Sequence, residues 1–243
     1  MKRPSRPAAP AAAPERHHRD IQGGAARAAV LGVSDGLVTN IALILGVAGA
    51  NTPAGTVRLT GVAGLLAGAF SMAAGEYVSV RAQRELLQRE LDMEAVELRR
   101  APEKEHRELV QLYQSRGVDP GVADEMAGEL MRTPELALQT HAREELGVNP
   151  NQLGNPYKAA TASAASFALG AVVPLVPWFI TQGAAAVVAS LVLGAVAALA
   201  IGFALARFTG RSKLRTMVRQ LTVTVLAAGV TFLIGKAVGH QVG

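Results

Sequence analysis

The chain has no cysteine among its 243 residues. Because disulfide bonds, thiolate zinc sites and iron–sulfur clusters all need cysteine, the sequence excludes a disulfide scaffold and both of those metal centres. Any metal ion must therefore be held by carboxylate, imidazole, thioether or backbone oxygen ligands.

Aromatic residues are also scarce, with six Phe, three Tyr and one Trp. Proteins that bind single-stranded nucleic acid stack bases on aromatic side chains placed among basic ones, and this chain has no such run. Its formal charge of +5 comes mainly from basic residues near the N-terminus and in residues 207–219. We therefore exclude nucleic acid as a partner and interpret the basic segments as signals of membrane orientation.

Charged residues are few and unevenly spread. They make up 18% of the chain, against about 25% in an average soluble domain, while 50% of residues are hydrophobic and the mean hydropathy is +0.25. Five apolar spans each come close to the roughly 20 residues that cross a bilayer; they are residues 28–50, 57–80, 159–181, 184–206 and 221–239. The pattern predicts an all-α membrane protein with five transmembrane helices, not an enzyme, since no hydrolase triad, P-loop or dinucleotide fingerprint is present.

The segment between spans two and three is different in kind. Residues 81–158 hold 26 of the 43 charged residues, 15 of them acidic. The second span continues as a helix to Pro102, and Gly117 closes the helix that follows. Asp119-Pro120 and Thr133-Pro134 are N-cap and first-turn pairs that start two more helices. The sequence predicts an acidic insert of three to four helices.

These features predict four regions and one orientation. The regions are a disordered segment 1–20, spans one and two in 21–80, the insert in 81–158 and spans three to five in 159–243. Lys and Arg are abundant before the first span and in the 207–219 loop, and absent from the 51–56 turn. By the positive-inside rule, the N-terminus and the insert lie in the cytoplasm and the C-terminus lies outside.

Asp35 lies within the first apolar span. An intramembrane carboxylate is costly and usually faces a cavity used by ions or protons. The alternative is a structural carboxylate that pairs with Lys236 or bonds to Thr39 and Asn40.

Met72 and Glu76 are four residues apart in the second span, so they share a helix face that Gly68 extends. A thioether and a carboxylate suit a borderline divalent ion. The alternatives are simple packing for Met72 and a boundary position for Glu76.

The insert has two pairs of glutamates spaced three residues apart, Glu94 with Glu97 and Glu105 with Glu108. The Pro102 turn lies between the pairs, so their helices are expected to be antiparallel neighbours. The pairs can then face each other, with Glu145 added from the last helix of the insert, and such a cluster suits divalent ions. The alternative is an ordinary solvated helix face.

His141 lies one turn before Glu145, so both side chains can reach one ion. A single histidine on a helix is more often a surface residue. A di-iron bundle would show a Glu-x-x-His pattern, and none of the insert glutamates just named has a histidine three residues later.

The chain resembles the vacuolar iron transporter family, which includes iron and manganese carriers of yeast, plants and bacteria. The resemblance spans about residues 17–240. Its most specific parts are residues 34–40, Ser-Asp-Gly-Leu-Val-Thr-Asn, and residues 71–79, Ser-Met-Ala-Ala-Gly-Glu-Tyr-Val-Ser. The acidic insert and the five spans also agree with it.

The resemblance implies a homodimer with a pore between the first spans of its two subunits. It implies export of Fe²⁺ from the cytoplasm coupled to proton entry, with Asp35 and Met72 in contact with the ion. It also implies that the insert holds metal through Glu94, Glu97, Glu105, Glu108 and Glu145. Where family members often have methionine, one turn before the last of these glutamates, this chain has His141 and Ala142.

The resulting hypothesis is a divalent metal transporter for Fe²⁺, Mn²⁺ or both. It works as a proton antiporter in the lipid of a bacterial plasma membrane, and the metal is its substrate, not a permanently bound cofactor. Two alternatives remain open: a membrane-anchored metal-sequestering or ferroxidase-like protein, and a structural scaffold whose insert docks other proteins.

Overall fold

The computed structural model describes the backbone of residues 24–150 and 153–242, and the side chains of 29–150 and 153–240. The disorder predicted for residues 1–20 lies outside them. Most of the described part is helical, and it contains no strand. Its helices are α1 Gly24–Gly49, α2 Ala54–Arg100, α3 Pro102–Ser115, α4 Pro120–Leu130, α5 Pro134–Glu144, α6 Pro156–Leu175, α7 Pro177–Ile180, α8 Ala184–Thr209 and α9 Lys213–Val242.

Five of these helices, α1, α2, α6, α8 and α9, are long and apolar enough to cross a membrane. The prediction of an all-α protein with five membrane-spanning helices is therefore confirmed. Each span is bounded by the turn residues that the sequence shows, such as Asn51, whose φ of 57° closes the α1–α2 turn.

Helix α1 is the centre of the membrane region and packs against α2, α6, α8 and α9. At its crossing with α6 the two backbones touch. A Cβ atom on Gly36 would lie 2.0 Å from the carbonyl oxygen of Phe167, and one on Gly170 would lie 1.9 Å from that of Val33. Apolar side chains gain nothing by leaving lipid for protein, so close backbone packing is what holds such helices together.

The crossing of α1 with α9 follows the same rule. A Cβ atom on Gly235 would lie 1.8 Å from the carbonyl oxygen of Gly46, and one on Gly49 would lie 2.3 Å from that of Phe232. Small residues on both sides thus hold α1 tightly between α6 and α9.

The sequence predicted a single transmembrane helix over residues 159–181, but the structure shows two helices there. The span divides into α6 and α7 between Leu175 and Pro177, because Pro174 and Pro177 lack the N–H groups that would continue the helix. Neighbouring side chains bond to carbonyls of this stretch: the Asn40 amide donates to Ala171 O at 2.6 Å, and the Ser190 hydroxyl donates to Pro174 O at 2.7 Å.

Helix α2 is 47 residues long, which corresponds to about 70 Å at 1.5 Å per residue. A bilayer core is only about 30 Å thick, so the C-terminal half of α2 extends beyond it. This extension of α2, from residue 81 on, forms the insert together with helices α3, α4 and α5. Leu109 and Tyr113 of α3 pack against Ala123 and Ala127 of α4, and α5 packs against the extension of α2.

The helix starts within the insert are those that the sequence predicts. The Asp119 side chain accepts hydrogen bonds from the N–H groups of Gly121 and Val122 at the start of α4. The Thr133 hydroxyl accepts one from Leu136 N–H at the start of α5. These local bonds satisfy N–H groups that have no partner within the helix.

The predicted 207–219 loop is much shorter than expected. Helix α8 ends at Thr209, Gly210 adopts a left-handed φ of 66°, and α9 begins at Lys213. A glycine in this conformation commonly ends a helix. Most of the basic residues in the segment therefore lie on helix ends, where long cationic side chains can reach water.

Candidate metal site and transport pathway

Three helices of the insert, which is predicted to lie in the cytoplasm, bring together Glu94 from α2, Glu105 from α3 and His141 from α5. One ligand atom of each lies within 4.8 Å of those of the other two. The chain turns at Ala101 between α2 and α3, and Glu94, before that turn, lies near Glu105, after it. In the part of the chain that the structure describes, this is the one such group of three or more potential ligands. We call it the acidic group.

The imidazole of His141 points its Nδ1 atom at the carboxylates. Nδ1 is 2.9 Å from Oε1 of Glu145, 3.1 Å from Oε1 of Glu94 and 4.0 Å from Oε2 of Glu105. Nδ1 can carry only one hydrogen, and in the tautomer that protonates Nδ1 this hydrogen is directed to its shortest contact, Glu145. Oε1 of Glu94 is thus buried without a donor. A proton or a cation at this point would remove the cost of that unpaired oxygen.

Burial makes the acidic group electrostatically unusual. Glu105 is 1% exposed and His141 is fully buried, while the Glu94 side chain is 11% exposed. Loss of solvation raises the pKa of Glu94 to about 7; His141 opposes this rise, and the carboxylates of Glu145, Glu105 and Glu97 add to it. Several carboxylates this close cannot all be charged unless a cation lies among them. The arrangement is chemically suited to one divalent ion with oxygen and nitrogen ligands.

The structure separates the members of each glutamate pair. Glu97 is exposed and lines an open groove of about 750 Å³ between α2 and α3, together with Glu105. Glu108 points to the ammonium of Lys104 at 3.1 Å. Only Glu94 and Glu105 of the two pairs belong to the acidic group, with Glu145 beside His141. Metal binding by these six residues stays a prediction.

Lys104 was not singled out by the sequence reasoning. Its Nζ atom is 3.2 Å from Oε1 of Glu105 and 3.1 Å from Oε1 of Glu108. The spacing of four residues between Lys104 and Glu108 was the available signal, since such pairs meet on a helix face.

Asp35 lies on the exposed side of α1 and accepts a hydrogen bond from the Thr39 hydroxyl at 3.3 Å. Asn40 instead donates to α6. Lys236 lies beside Gly49, 14 residues along α1 from Asp35, or about 21 Å at 1.5 Å per residue. Of the three structural partners considered for Asp35, the structure shows Thr39 alone.

Met72 and Glu76 are both half-buried on the membrane part of α2. Neither they nor Asp35 belong to a group of three potential ligands among the described residues. Their place on a transport pathway stays a prediction.

Comparison with known proteins gives one consistent result. The model of the VIT family matches residues 26–236. The chain is 31% identical to "Vacuolar iron transporter 1" of Arabidopsis thaliana over 92% of this chain and 91% of that protein, and 32% identical to the protein of the same name in Oryza sativa subsp. japonica over 93% and 89%. It is 42% identical to "Vacuolar iron transporter" of Acanthamoeba castellanii over 68% of this chain and 60% of that protein. Since the family model spans nearly all the described helices, this integral membrane protein belongs to the VIT family.

Proposed function

We propose that the protein transports Fe²⁺ across its membrane, with Mn²⁺ as a second substrate, and moves the ion out of the cytoplasm in exchange for protons. The observation that carries the proposal is the acidic group: one buried carboxylate, one partly buried carboxylate and a buried imidazole lie on an insert whose first helix is continuous with a membrane span. The relatives of this protein are named iron transporters, and these names support the choice of metal.

The first step is capture of the ion by the insert. Clustered carboxylates attract cations and raise their local concentration. Oxygen and imidazole ligands suit Fe²⁺ and Mn²⁺, whereas a soft ion such as Cu⁺ prefers sulfur. Because α2 runs unbroken from the insert into the membrane, Glu94 and Glu76 lie on one helix, 18 residues or about 27 Å apart, and the captured ion must cross this distance to reach Glu76 and Met72.

The second step takes the ion past Glu76 and Met72 of α2 to Asp35 of α1. Asp35 is the one acidic residue deep in a span, and its exposed position on α1 leaves it accessible to both an ion and a proton. Protonation of Asp35 from the far side would then release the ion, which couples export to proton entry.

The proposal includes a homodimer in which the exposed face of α1 meets its copy. That face carries Leu31, Asp35 and Leu43 on a helix that is otherwise enclosed by its neighbours. A carboxylate turned toward lipid is costly, and a second subunit would cover it and enclose a polar path. The insert and the N-terminus would face the cytoplasm. The bacterial plasma membrane stays a prediction, since the names of the relatives refer to the vacuole.

The test is metal uptake into proteoliposomes loaded with a dye that metal ions quench. Fe²⁺ (under anaerobic conditions) and Mn²⁺ are supplied separately, with and without an imposed proton gradient. We expect gradient-dependent quenching with both ions, and loss of most of it in Asp35→Asn. The matched control is Glu135→Gln, which removes an exposed carboxylate at the start of α5 and should transport at the wild-type rate.

Two outcomes would contradict the proposal. Unchanged rate and pH dependence in Asp35→Asn would remove Asp35 from the mechanism. Absence of quenching with either ion from correctly folded protein would favour the sequestering or ferroxidase-like alternative, and oxygen consumption on addition of Fe²⁺ would identify the latter.

A further inference from the structure

A lysine ammonium contacts one carboxylate of the acidic group. Lys104 of α3 lies with Nζ 3.2 Å from Oε1 of Glu105 and 3.1 Å from Oε1 of Glu108. Glu105 is almost fully buried, and its other oxygen, Oε2, faces Nδ1 of His141 at 4.0 Å. One buried carboxylate is therefore shared between a lysine ammonium on one side and the position proposed for the metal ion on the other.

We propose that Lys104 is a tethered cation that competes with the divalent ion for Glu105 and so weakens metal binding by the acidic group. The inference rests on the proposed function, because it assumes that the acidic group binds metal. It concerns a residue that contacts a ligand rather than the ion itself.

Two effects of the ammonium lead to this conclusion. Its charge repels a divalent ion held by the other oxygen of the same carboxylate, and at this range the repulsion is only partly screened, since Glu105 is buried. Its bond to Glu108 also engages that second carboxylate, which does not belong to the group formed by Glu94, Glu105 and His141. The acidic group is thus left with fewer negative charges for the ion.

Lysine is well suited to this role. Its side chain is half-exposed, with 54% of its surface accessible, and its ammonium bonds without a fixed geometry. It can therefore move away as an ion enters and return as the ion leaves. A carrier must bind its ion strongly enough to capture it and weakly enough to release it, and a tethered competitor shifts the balance toward release.

The test measures Mn²⁺ binding to the purified full-length protein in detergent, by calorimetric titration and by the paramagnetic resonance signal of free Mn²⁺. We expect Lys104→Gln to bind Mn²⁺ about fivefold more tightly, on the scale of the partly exposed ion pairs that it removes. Lys104→Arg keeps the charge and should bind with an affinity closer to that of the wild type than to that of Lys104→Gln. The control is Arg107→Gln, which removes an exposed cation from the same helix and should change affinity by less than half of that effect.

The outcomes separate this inference from the proposed function. Equal affinities of the wild type and Lys104→Gln would overturn the inference and leave metal binding intact. If Lys104→Arg raised the affinity for Mn²⁺ as much as Lys104→Gln, the inference would also be overturned, because the cause would then be side-chain packing instead of charge. No Mn²⁺ binding by the wild type would overturn the metal role of the acidic group, and this inference with it.

Discussion

Glu94 is the residue at which the insert responds most directly to pH. It lies on the extension of α2 with one oxygen that has no hydrogen-bond donor, and burial raises its pKa to about 7. The shift favours the protonated form in the folded protein. Its contribution to stability is therefore fully present below the unfolded pKa near 4.5 and is lost as pH rises through 7. The apo insert is least stable above pH 7, where a bound cation would offset the loss.

Metal binding must displace the proton from Glu94. For a ligand with a pKa of about 7, the apparent affinity for Mn²⁺ should be about tenfold lower at pH 6 than at pH 8, because one proton is released per ion. Calorimetric titration of the full-length protein at the two pH values measures this. Glu94→Gln should bind more weakly at pH 8 and show a flatter pH dependence. An equally steep dependence in that variant would show that another group takes up the proton.

Single residues also explain why the structure brings together only some of the glutamates that the sequence grouped as ligands. Spacing of three residues indicates that two glutamates lie near each other on one helix, but it does not say which of the two faces a neighbouring helix. In the structure Glu105 is buried and faces His141, whereas Glu108 is partly exposed and bonds to Lys104 on the same helix. Which of the two glutamates is buried depends on how α3 packs against its neighbours, and the spacing within one helix does not contain that information.

Among the elements, α1 depends on glycine for its contacts with both α6 and α9. Small residues allow helices to pack closely in a membrane, but which helix each glycine meets became clear only in the structure. Gly36 faces the α6 backbone, whereas Gly75 on α2 has no heavy atom within 4 Å of the place where a Cβ would lie.

This contrast supplies a matched pair of substitutions. Gly36→Ala should destabilise the protein by about 1–3 kcal/mol, the usual cost of overpacking, because the new methyl group would meet a backbone carbonyl that cannot rotate away. Gly75→Ala should be neutral or stabilising by up to about 1 kcal/mol, since alanine favours a helix over glycine. Thermal unfolding in detergent, followed by the loss of helical circular dichroism, compares the two. A melting temperature of Gly36→Ala equal to or above that of Gly75→Ala would argue against the α1–α6 contact.

Helix α2 links the two halves of the molecule. A continuous helix of 47 residues places the acidic group at the end of a rigid rod that begins inside the membrane. The sequence predicted this continuity correctly, since the segment between Ala54 and Arg100 contains no proline and all of its charges except Arg58 and Glu76 follow the apolar span.

For the whole molecule, the proposed dimer requires the exposed face of α1 to meet its copy. The chain has no cysteine, so a single introduced cysteine can form a disulfide bond within the dimer only with its copy in the other subunit. We expect Leu43→Cys, on that face, to cross-link into a covalent dimer on mild oxidation in the membrane, because disulfides form when Cα atoms approach to about 4.4–6.8 Å. Val192→Cys is the control; it is exposed on α8 and should stay monomeric on a non-reducing gel.

The reverse pattern, with cross-linking through Val192→Cys alone, would contradict a contact through α1. If neither variant cross-links by oxidation, a bismaleimide of short span provides a second measurement at Leu43→Cys. Failure of both reagents there would reject the proposed interface.

The sequence by itself determined the number of spans, the helical insert and the positions of its caps at Asp119 and Thr133. These features follow from hydropathy and from hydrogen bonds between residues close in the chain, so a short window of sequence contains their cause. The same applies to the limits on metal chemistry, since the absence of cysteine already restricted the ligands to oxygen, imidazole and thioether.

The tertiary structure alone decided which side chains meet. It brought Glu94, Glu105 and His141 together from three helices, placed Lys104 against Glu105, separated Lys236 from Asp35 and divided the third span into α6 and α7. Each of these results depends on how helices rotate and cross, which is determined by packing between residues far apart in the chain. Such packing sums many weak contacts, and no local pattern in the sequence records it.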